Sequence, residues 1–89
     1  MKAVVTVIGK DNIGIISTVS TECAKFGVNI IDITQSVLKE YFAMIMLVEI
    51  DKMQSTFLNF QKALEKVGAE KHIDIRVMHE DIFNSMHRI

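Results

Sequence analysis

The order of apolar patterns along the chain restricts its fold more than any other feature. Four segments predict strands: the β-branched run 2–8, the stretch 28–38, the apolar run 41–50 and the alternating run 72–78. Apolar residues at three- and four-residue steps predict two helices, over 13–26 and from Gln54 or Ser55 to a break at Gly68. Asp11 or Asn12 is the expected cap of the first helix, and Gly27 its end. The elements therefore run strand, helix, strand, strand, helix, strand.

Few packings are compatible with this order, because crossover connections are right-handed. The ferredoxin-like sandwich is the obvious one: an α+β fold with a four-stranded antiparallel sheet and two helices on one face. The tail EDIFNSMHRI places Ile82, Phe83 and Met86 on one helical side, which predicts a short C-terminal helix. We expect a single domain over 1–89, with its core in 2–78 and a tail at 79–89.

The second face of that sheet is expected to need a cover. The third strand is apolar at nearly every position, which predicts that it is central and buried on both faces. Hydrophobic residues make up 49% of the 89 residues, more than one small core requires. We expect a homodimer, with the tail helix helping to cover this face; the tail alone is the alternative.

Charge and cysteine content exclude several classes of protein. Ten basic and eleven acidic residues give a net charge of −1 with no basic stripe, so no nucleic-acid surface is expected. The apolar runs are too short for a membrane span or signal peptide. Without either, the cytoplasm is the expected location. The single Cys23 has no partner for an internal disulfide and is typical of a small buried hydrophobe.

Enzymatic and metal functions find little support. The loop GKDNIGI, residues 9–15, contains neither the Arg of an acylphosphatase-like phosphate loop nor a cysteine pair for a soft metal. Ser17, Thr18 and Cys23 lack an evident His partner for nucleophilic catalysis. His72 and His79, seven residues apart along one strand, are expected on opposite faces. No catalytic residue, metal site or cofactor is therefore predicted.

The same loop is suited to a small anion or to a simple turn. It joins a strand to the first turn of a helix, where free N–H groups and the helix dipole favour a carboxylate. Gly14 would let a ligand approach the backbone, and Asp11 could pair with an amine. These features suit an α-amino acid, although a turn with a helix cap explains the same residues.

The stretch GKDNIGIISTVSTECAKFGVNIIDITQS resembles the opening of an ACT domain. The shared features are a loop with Asp or Asn, a Gly followed by an aliphatic residue, a helix, and G-x-N-I at the second strand. The resemblance extends over residues 2 to about 78. The whole chain looks most like small stand-alone bacterial ACT proteins, which are related to regulators of glycine cleavage and to the ACT part of formyltetrahydrofolate deformylases.

This resemblance implies regulation by a bound small molecule, usually an amino acid, at a subunit interface. Carried over by position, the ligand contacts are Asp11, Asn12, Ile13, Gly14, Asn29 and Ile30. Asp32 and Thr34, expected on the same strand face as Ile30, could line that site, although an exposed edge strand also explains them. The predicted function is a dimeric, non-catalytic regulatory module that binds an amino acid or related metabolite and acts on a protein target. The alternative is a ligand-free module for protein interaction and dimerisation.

Overall fold

A computed structural model describes residues 1–10 and 14–86. Its strands and helices follow one another as β1 Lys2–Gly9, α1 Ile15–Lys25, β2 Asn29–Leu38, β3 Tyr41–Glu49, α2 Phe57–Lys71, β4 Asp74–His79 and α3 Glu80–Met86. The element order is the predicted one, and the short C-terminal helix is present as α3.

The four strands form one antiparallel sheet in the order β2-β3-β1-β4. This order confirms the ferredoxin-like sandwich and the central position of β3. Because neighbouring strands are antiparallel, Lys2 and Asn29 lie at one end of the sheet, where both are in register with Glu49. Gly9 and Leu38 lie at the opposite end. We call these the Asn29 end and the Gly14 end, the latter because α1 begins there.

Both long helices cover the same face of the sheet. Alternate residues of β1 and β3 point into this core, where Val5 is paired with Met46 and Val7 with Met44. The helices contribute the buried side chains Ile15, Val19, Cys23, Phe60, Leu64 and Val67. One apolar stripe on each helix is therefore enough to close this side of the sandwich.

The prediction that β3 is buried on both faces is wrong for the single chain. Its burial alternates strictly along most of its length, and Tyr41, Ala43 and Ile45 are exposed on the face opposite the helices. Only the Asn29 end of that face is covered. Val4 faces outward there and is still only 3% exposed, and α3 packs across β1 and β4 beside it. The apolar composition of β3 reflects a central strand with one uncovered face.

The ends of α1 differ from expectation at one terminus only. The helix begins at Ile15, and its N-cap residue is Gly14. The predicted caps Asp11 and Asn12 lie outside the described residues. At the other end Gly27 is confirmed as the C′ residue, with a left-handed φ of 72°. The N–H of Val28 donates to Cys23 O at 2.9 Å and that of Gly27 to Ala24 O at 3.1 Å, the Schellman pattern.

The second helix also starts and stops at unexpected residues. Thr56 is its N-cap, and the Thr56 hydroxyl accepts a hydrogen bond from the N–H of Asn59. The helix does not end at Gly68. It continues to Lys71, and His72 is the left-handed cap with a φ of 59°. Consequently β4 begins at Asp74 and not at residue 72.

Gly68 serves helix packing and not helix termination. A Cβ on Gly68 would lie 2.7 Å from the carbonyl oxygen of Ile73, which is backbone and has little freedom to move. The N–H of Ile73 also donates to Gly68 O at 2.9 Å. The glycine therefore allows the end of α2 to approach the start of β4, a close contact that helix periodicity alone does not reveal.

We expect Gly68→Ala to lower the free energy of unfolding by about 1–3 kcal/mol, the usual cost of overpacking a fitted site. In an open helix position the same change would stabilise the protein by up to about 1 kcal/mol. Glu65→Ala, at an exposed position of α2, is the control and should change stability by less than about 0.5 kcal/mol. Urea unfolding followed by circular dichroism measures all three. Stabilisation by Gly68→Ala would contradict the packing argument.

Cys23 should resist alkylation in the folded protein. The residue is fully buried on α1, and this burial, with a smaller contribution from Glu22, raises the pKa of its thiol to about 11. Since the ordinary value is 9.0, its thiolate population near pH 8 falls by roughly two orders of magnitude. We expect iodoacetamide to modify Cys23 at least about 100-fold more slowly in buffer than in urea. Equal rates would show that α1 opens freely.

Candidate functional site

Half of the predicted ligand contacts can be placed in the structure. Asp11, Asn12 and Ile13 lie outside the described residues, so their assignment stays a prediction. Gly14 is at the N-terminus of α1, whereas Asn29 and Ile30 begin β2. The described part of the predicted site therefore consists of the start of α1 and the start of β2.

Gly14 combines a left-handed backbone with empty surroundings. Its φ and ψ are 73° and 2°, a conformation that glycine adopts without steric cost. Apart from its chain neighbours, no heavy atom of the described residues would lie within 4 Å of a Cβ built on Gly14. Thr18 donates two hydrogen bonds to the carbonyl oxygen of Gly14, one from its N–H at 2.9 Å and one from its hydroxyl at 2.8 Å. The glycine thus provides open space beside the first turn of a helix, whose leading amides have no intrahelical acceptor.

Asn29 and Ile30 point to opposite faces of the sheet. Asn29 is exposed and lies opposite Glu49, whereas Ile30 lies opposite Val48 and packs against the core. Asn29 is exposed, whereas Ile30 is only partly exposed. Ile30 serves as packing that fixes the start of the strand.

A bulge in β2 changes the predicted alignment of its residues. The register shifts between Ile30 and Asp32, and Asp32 lies opposite Leu47. Both are on the sheet face opposite the helices, which carries Tyr41 and Ile45 and which we call the open face. The prediction that Ile30, Asp32 and Thr34 share one face is therefore wrong. An extra residue, Ile31, breaks the period of two, and this is the physical effect of a β-bulge.

Asn29 lies beside charged residues that the sequence analysis did not assign to the site. A surface hollow of about 540 Å³ is lined by Gly27, Asn29, Glu49, Asp51 and Lys52. Glu49 and Asp51 both form ion pairs with the ammonium of Met1. The hydrogen bond to Asp51, and to a smaller extent the one to Glu49, raises the pKa of that amine. The same ammonium lowers the pKa of Asp51. The sequence could have indicated this placement of Glu49 and Asp51, because antiparallel pairing of consecutive strands brings the end of β3 beside the start of β2.

The two halves of the predicted site lie at opposite ends of the molecule. The eleven residues of α1 connect them, and at about 1.5 Å per residue the helix alone separates Gly14 from Asn29 by roughly 16 Å. A molecule the size of an amino acid cannot contact both residues of one chain. Of the predicted contacts within the described residues, Gly14 and Asn29 therefore do not come together within a single subunit.

Other candidate groups have structural roles. The ring of His79 stacks on Phe57, with centroids 4.0 Å apart, and His72 caps α2. Within residues 1–10 and 14–86, no three His, Cys, Asp or Glu side chains group in a way that could hold a metal ion. In the same part of the chain, no helix is long and apolar enough to cross a membrane.

Comparison with known proteins places the chain in a family. The family model described as the ACT domain matches residues 2–78. A UPF0237 protein of the archaeon Methanococcus maripaludis is 46% identical over 86 residues, which are 97% of this chain and 96% of that protein. In the solved structure of an ACT domain protein from Streptococcus pneumoniae, 93% of each chain superimposes with a TM-score of 0.81 and 40% identity.

A larger regulatory protein also contains this fold. The regulatory subunit of aspartate kinase from Thermus thermophilus, in its ligand-free form, is 27% identical and aligns with a TM-score of 0.66. The match covers 85% of this chain and 49% of that subunit. Together with the match over residues 2–78 and the βαββαβ sandwich, these similarities show that the chain belongs to the ACT domain family.

Proposed function

We propose that this protein is a regulatory module that binds an amino acid or a related metabolite between two identical subunits and catalyses no reaction itself. The observation that carries the proposal is the open space at Gly14, beside the first turn of α1. The backbone amides there favour a carboxylate, and the absence of a side chain leaves room for one.

Asn29 supplies the second part of the proposed site from the other subunit. Its amide has both donors and acceptors, which suits the polar groups on the α-carbon of an amino acid. Since Gly14 and Asn29 of one chain are a helix length apart, a shared site requires the Asn29 end of one subunit beside the Gly14 end of its partner. A two-fold axis between antiparallel strands produces this arrangement.

The edge of the sheet offers a strand for such pairing. β2 is one of the two outer strands; it is ten residues long and without proline, and Asp32 is its one charged residue. Unprotected edges of this kind readily pair with another chain. Antiparallel pairing of β2 with the partner's β2 would bring Asn29 of each subunit toward the Leu38 end of the other. Because α1 packs against β2, its N-terminus would lie near the same junction.

The similar proteins support regulation more than they identify a ligand. The aspartate kinase subunit is named as regulatory. A solved structure named as a putative glycine cleavage system transcriptional repressor is 22% identical to this chain, and this similarity supports the fold alone. The proposal that the ligand is an amino acid or related metabolite therefore rests on the chemistry of Gly14 and Asn29. The cytoplasmic location and the protein target stay predictions.

We expect one amino acid or related metabolite to raise the melting temperature in a thermal-shift screen of the twenty amino acids with folate and purine metabolites. A ligand at about 100 times its dissociation constant stabilises a protein by roughly 2.7 kcal/mol, which is several degrees for a chain of this length. Gly14→Asn should reduce this shift, since Asn tolerates the left-handed backbone while its side chain fills the ligand's space. Asn29→Ala should also reduce the shift, and Gln35→Ala, an exposed amide on the same strand, should not.

Mixed dimers test whether the site is shared. When Gly14→Asn and Asn29→Ala subunits are combined, one site of each mixed dimer carries both changes and the other carries neither. We expect titration calorimetry of the mixed dimers to recover wild-type affinity at about half the sites. No recovery would place the ligand within one subunit. If no compound shifts the melting temperature at all, the exposed apolar strands favour the ligand-free interaction module instead.

A further inference from the structure

The second outer strand of the sheet, β4, borders a groove beside α2. The groove has a volume of about 540 Å³. Its helix side is formed by Gln61, Glu65 and Ala69, which are four residues apart and therefore share one helical face. Ile75 and Val77 of β4 line the strand side. The groove lies at the opposite edge of the sheet from β2, so it is separate from the strand pairing of the proposed ligand site.

The hydrogen-bond pattern of the sheet turns the backbone of Ile75 and Val77 outward, away from β1. The N–H of Ile50 donates to Met1 O at 3.0 Å, so the odd-numbered residues of β1 direct their polar groups toward β3. The even-numbered residues of β1 then bond to β4. Ile75 and Val77 lie opposite odd-numbered residues of β1, and their N–H and C=O groups therefore point away from the sheet edge.

Only the middle of this edge is open for pairing. The side chain of Gln61 donates to Val77 O at 2.9 Å and so occupies that carbonyl. Toward the start of the strand, the N–H of Ile73 donates to Gly68 O at 2.9 Å, and the carbonyl of Ile73 lies close to the same glycine. Among the described residues, no hydrogen bond closes the N–H and C=O of Ile75 or the N–H of Val77.

Glu65 places a carboxylate beside this open stretch. Helix α2 and strand β4 run in opposite directions, with Gln61 beside Val77 and Gly68 beside Ile73. Glu65 is about one helical turn from Gln61 and therefore lies level with the middle of the open edge. Its side chain is exposed, so it is available to a cation that enters the groove.

Charge selects the kind of chain that can pair here. The other charged residues of the groove, Asp74 and Arg76, form an ion pair with each other at 3.2 Å. Two copies of this protein paired through Ile75 would set one Glu65 against the other, and like charges across a strand pair are destabilising. A strand with a basic residue at the same place would neutralise Glu65. The groove is therefore complementary to a basic segment and not to a second copy.

We propose that β4 binds a short extended segment of a partner protein as an added antiparallel strand, with a Lys or Arg opposite Ile75 and paired with Glu65. Residues directly opposite each other in an antiparallel pair project to the same face, so this basic side chain points toward α2. Its aliphatic stem lies along the groove while its charged end reaches the carboxylate. Residues two positions to either side project the same way, and an apolar side chain there is suited to the small Ala69.

The length of the open edge restricts the partner further. β4 has six residues, and a single segment can close the three free backbone groups. Backbone pairing would supply affinity and the alternate side chains specificity, as in other proteins that bind a peptide at a sheet edge. The inference concerns the protein target of the proposed function and not its ligand, and it uses neither β2 nor Gly14.

A nuclear magnetic resonance titration of the isotope-labelled protein tests the proposed contact. The probe is a capped synthetic peptide with a central Lys, a Val two residues to either side and Thr at the other positions. We expect saturable changes at the amide signals of Ile75 and Val77, because these N–H groups gain acceptors. The amide signals of β2 should stay unchanged.

A charge exchange tests the role of Glu65. Glu65→Lys should weaken binding of the peptide at least about fivefold, since an attraction becomes a repulsion. A peptide with Glu in place of its Lys should bind the Glu65→Lys variant at least about fivefold more tightly than it binds the wild-type protein. Glu70→Lys is the matched control: it makes the same change at an exposed position of α2 outside the groove, and affinity should change by less than about twofold.

A backbone change in the peptide tests strand addition itself. A methyl group on the amide nitrogen of the central Lys removes the donor to Ile75 O, and we expect about a tenfold loss of affinity. The same methyl group on the neighbouring Thr should have little effect, because that N–H points away from β4.

Four results would overturn the proposal: no saturable change at millimolar peptide, changes centred on β2, an equal loss with Glu70→Lys, or undiminished binding of the peptide methylated at Lys. An amino acid that binds at Gly14 and Asn29 should still raise the melting temperature of Glu65→Lys. Failure of the peptide contact and failure of the proposed function are therefore distinguishable.

Discussion

Packing of both long helices on one face of a four-stranded sheet is the constraint on which the other features of this protein depend. The core formed by β1, β3 and the two helices uses one alternating set of strand residues and leaves the other set outside. Among the described residues one further short helix, α3, lies on this outer face and covers part of it. Apolar surface therefore remains, and the removal of that surface from water favours a second subunit.

The connection from β1 through α1 to β2 has a second consequence. It carries the chain from the Gly14 end of the sheet to the Asn29 end before β2 begins. The two places that a ligand would contact are thus separated by a helix within one subunit and can meet only between subunits. In the proposed function, dimerisation would complete the binding site and ligand binding would in turn stabilise the dimer.

Most of the fold could be predicted from the sequence, because element type follows from short-range patterns. The apolar and alternating patterns predicted each strand and helix of the described residues, and the Gly27 cap was confirmed by its Schellman hydrogen bonds. The predictions were wrong where the role of a residue depends on contacts with a different secondary-structure element. Gly68 appeared to be a helix end, yet its role is to admit the carbonyl of Ile73. The bulge at Ile31 reversed the face on which Asp32 lies.

For the candidate site, the sequence by itself determined residue chemistry: a glycine before a helix, an amide at the start of a strand, and a surplus of apolar residues. Only the tertiary structure decided where these groups lie in relation to one another. It separated Gly14 from Asn29, placed Glu49 and Asp51 beside Asn29, and divided the open face between α3 and solvent. The physical reason is that periodicity reports which neighbours along the chain share a face, whereas strand register and helix crossing depend on packing between distant segments.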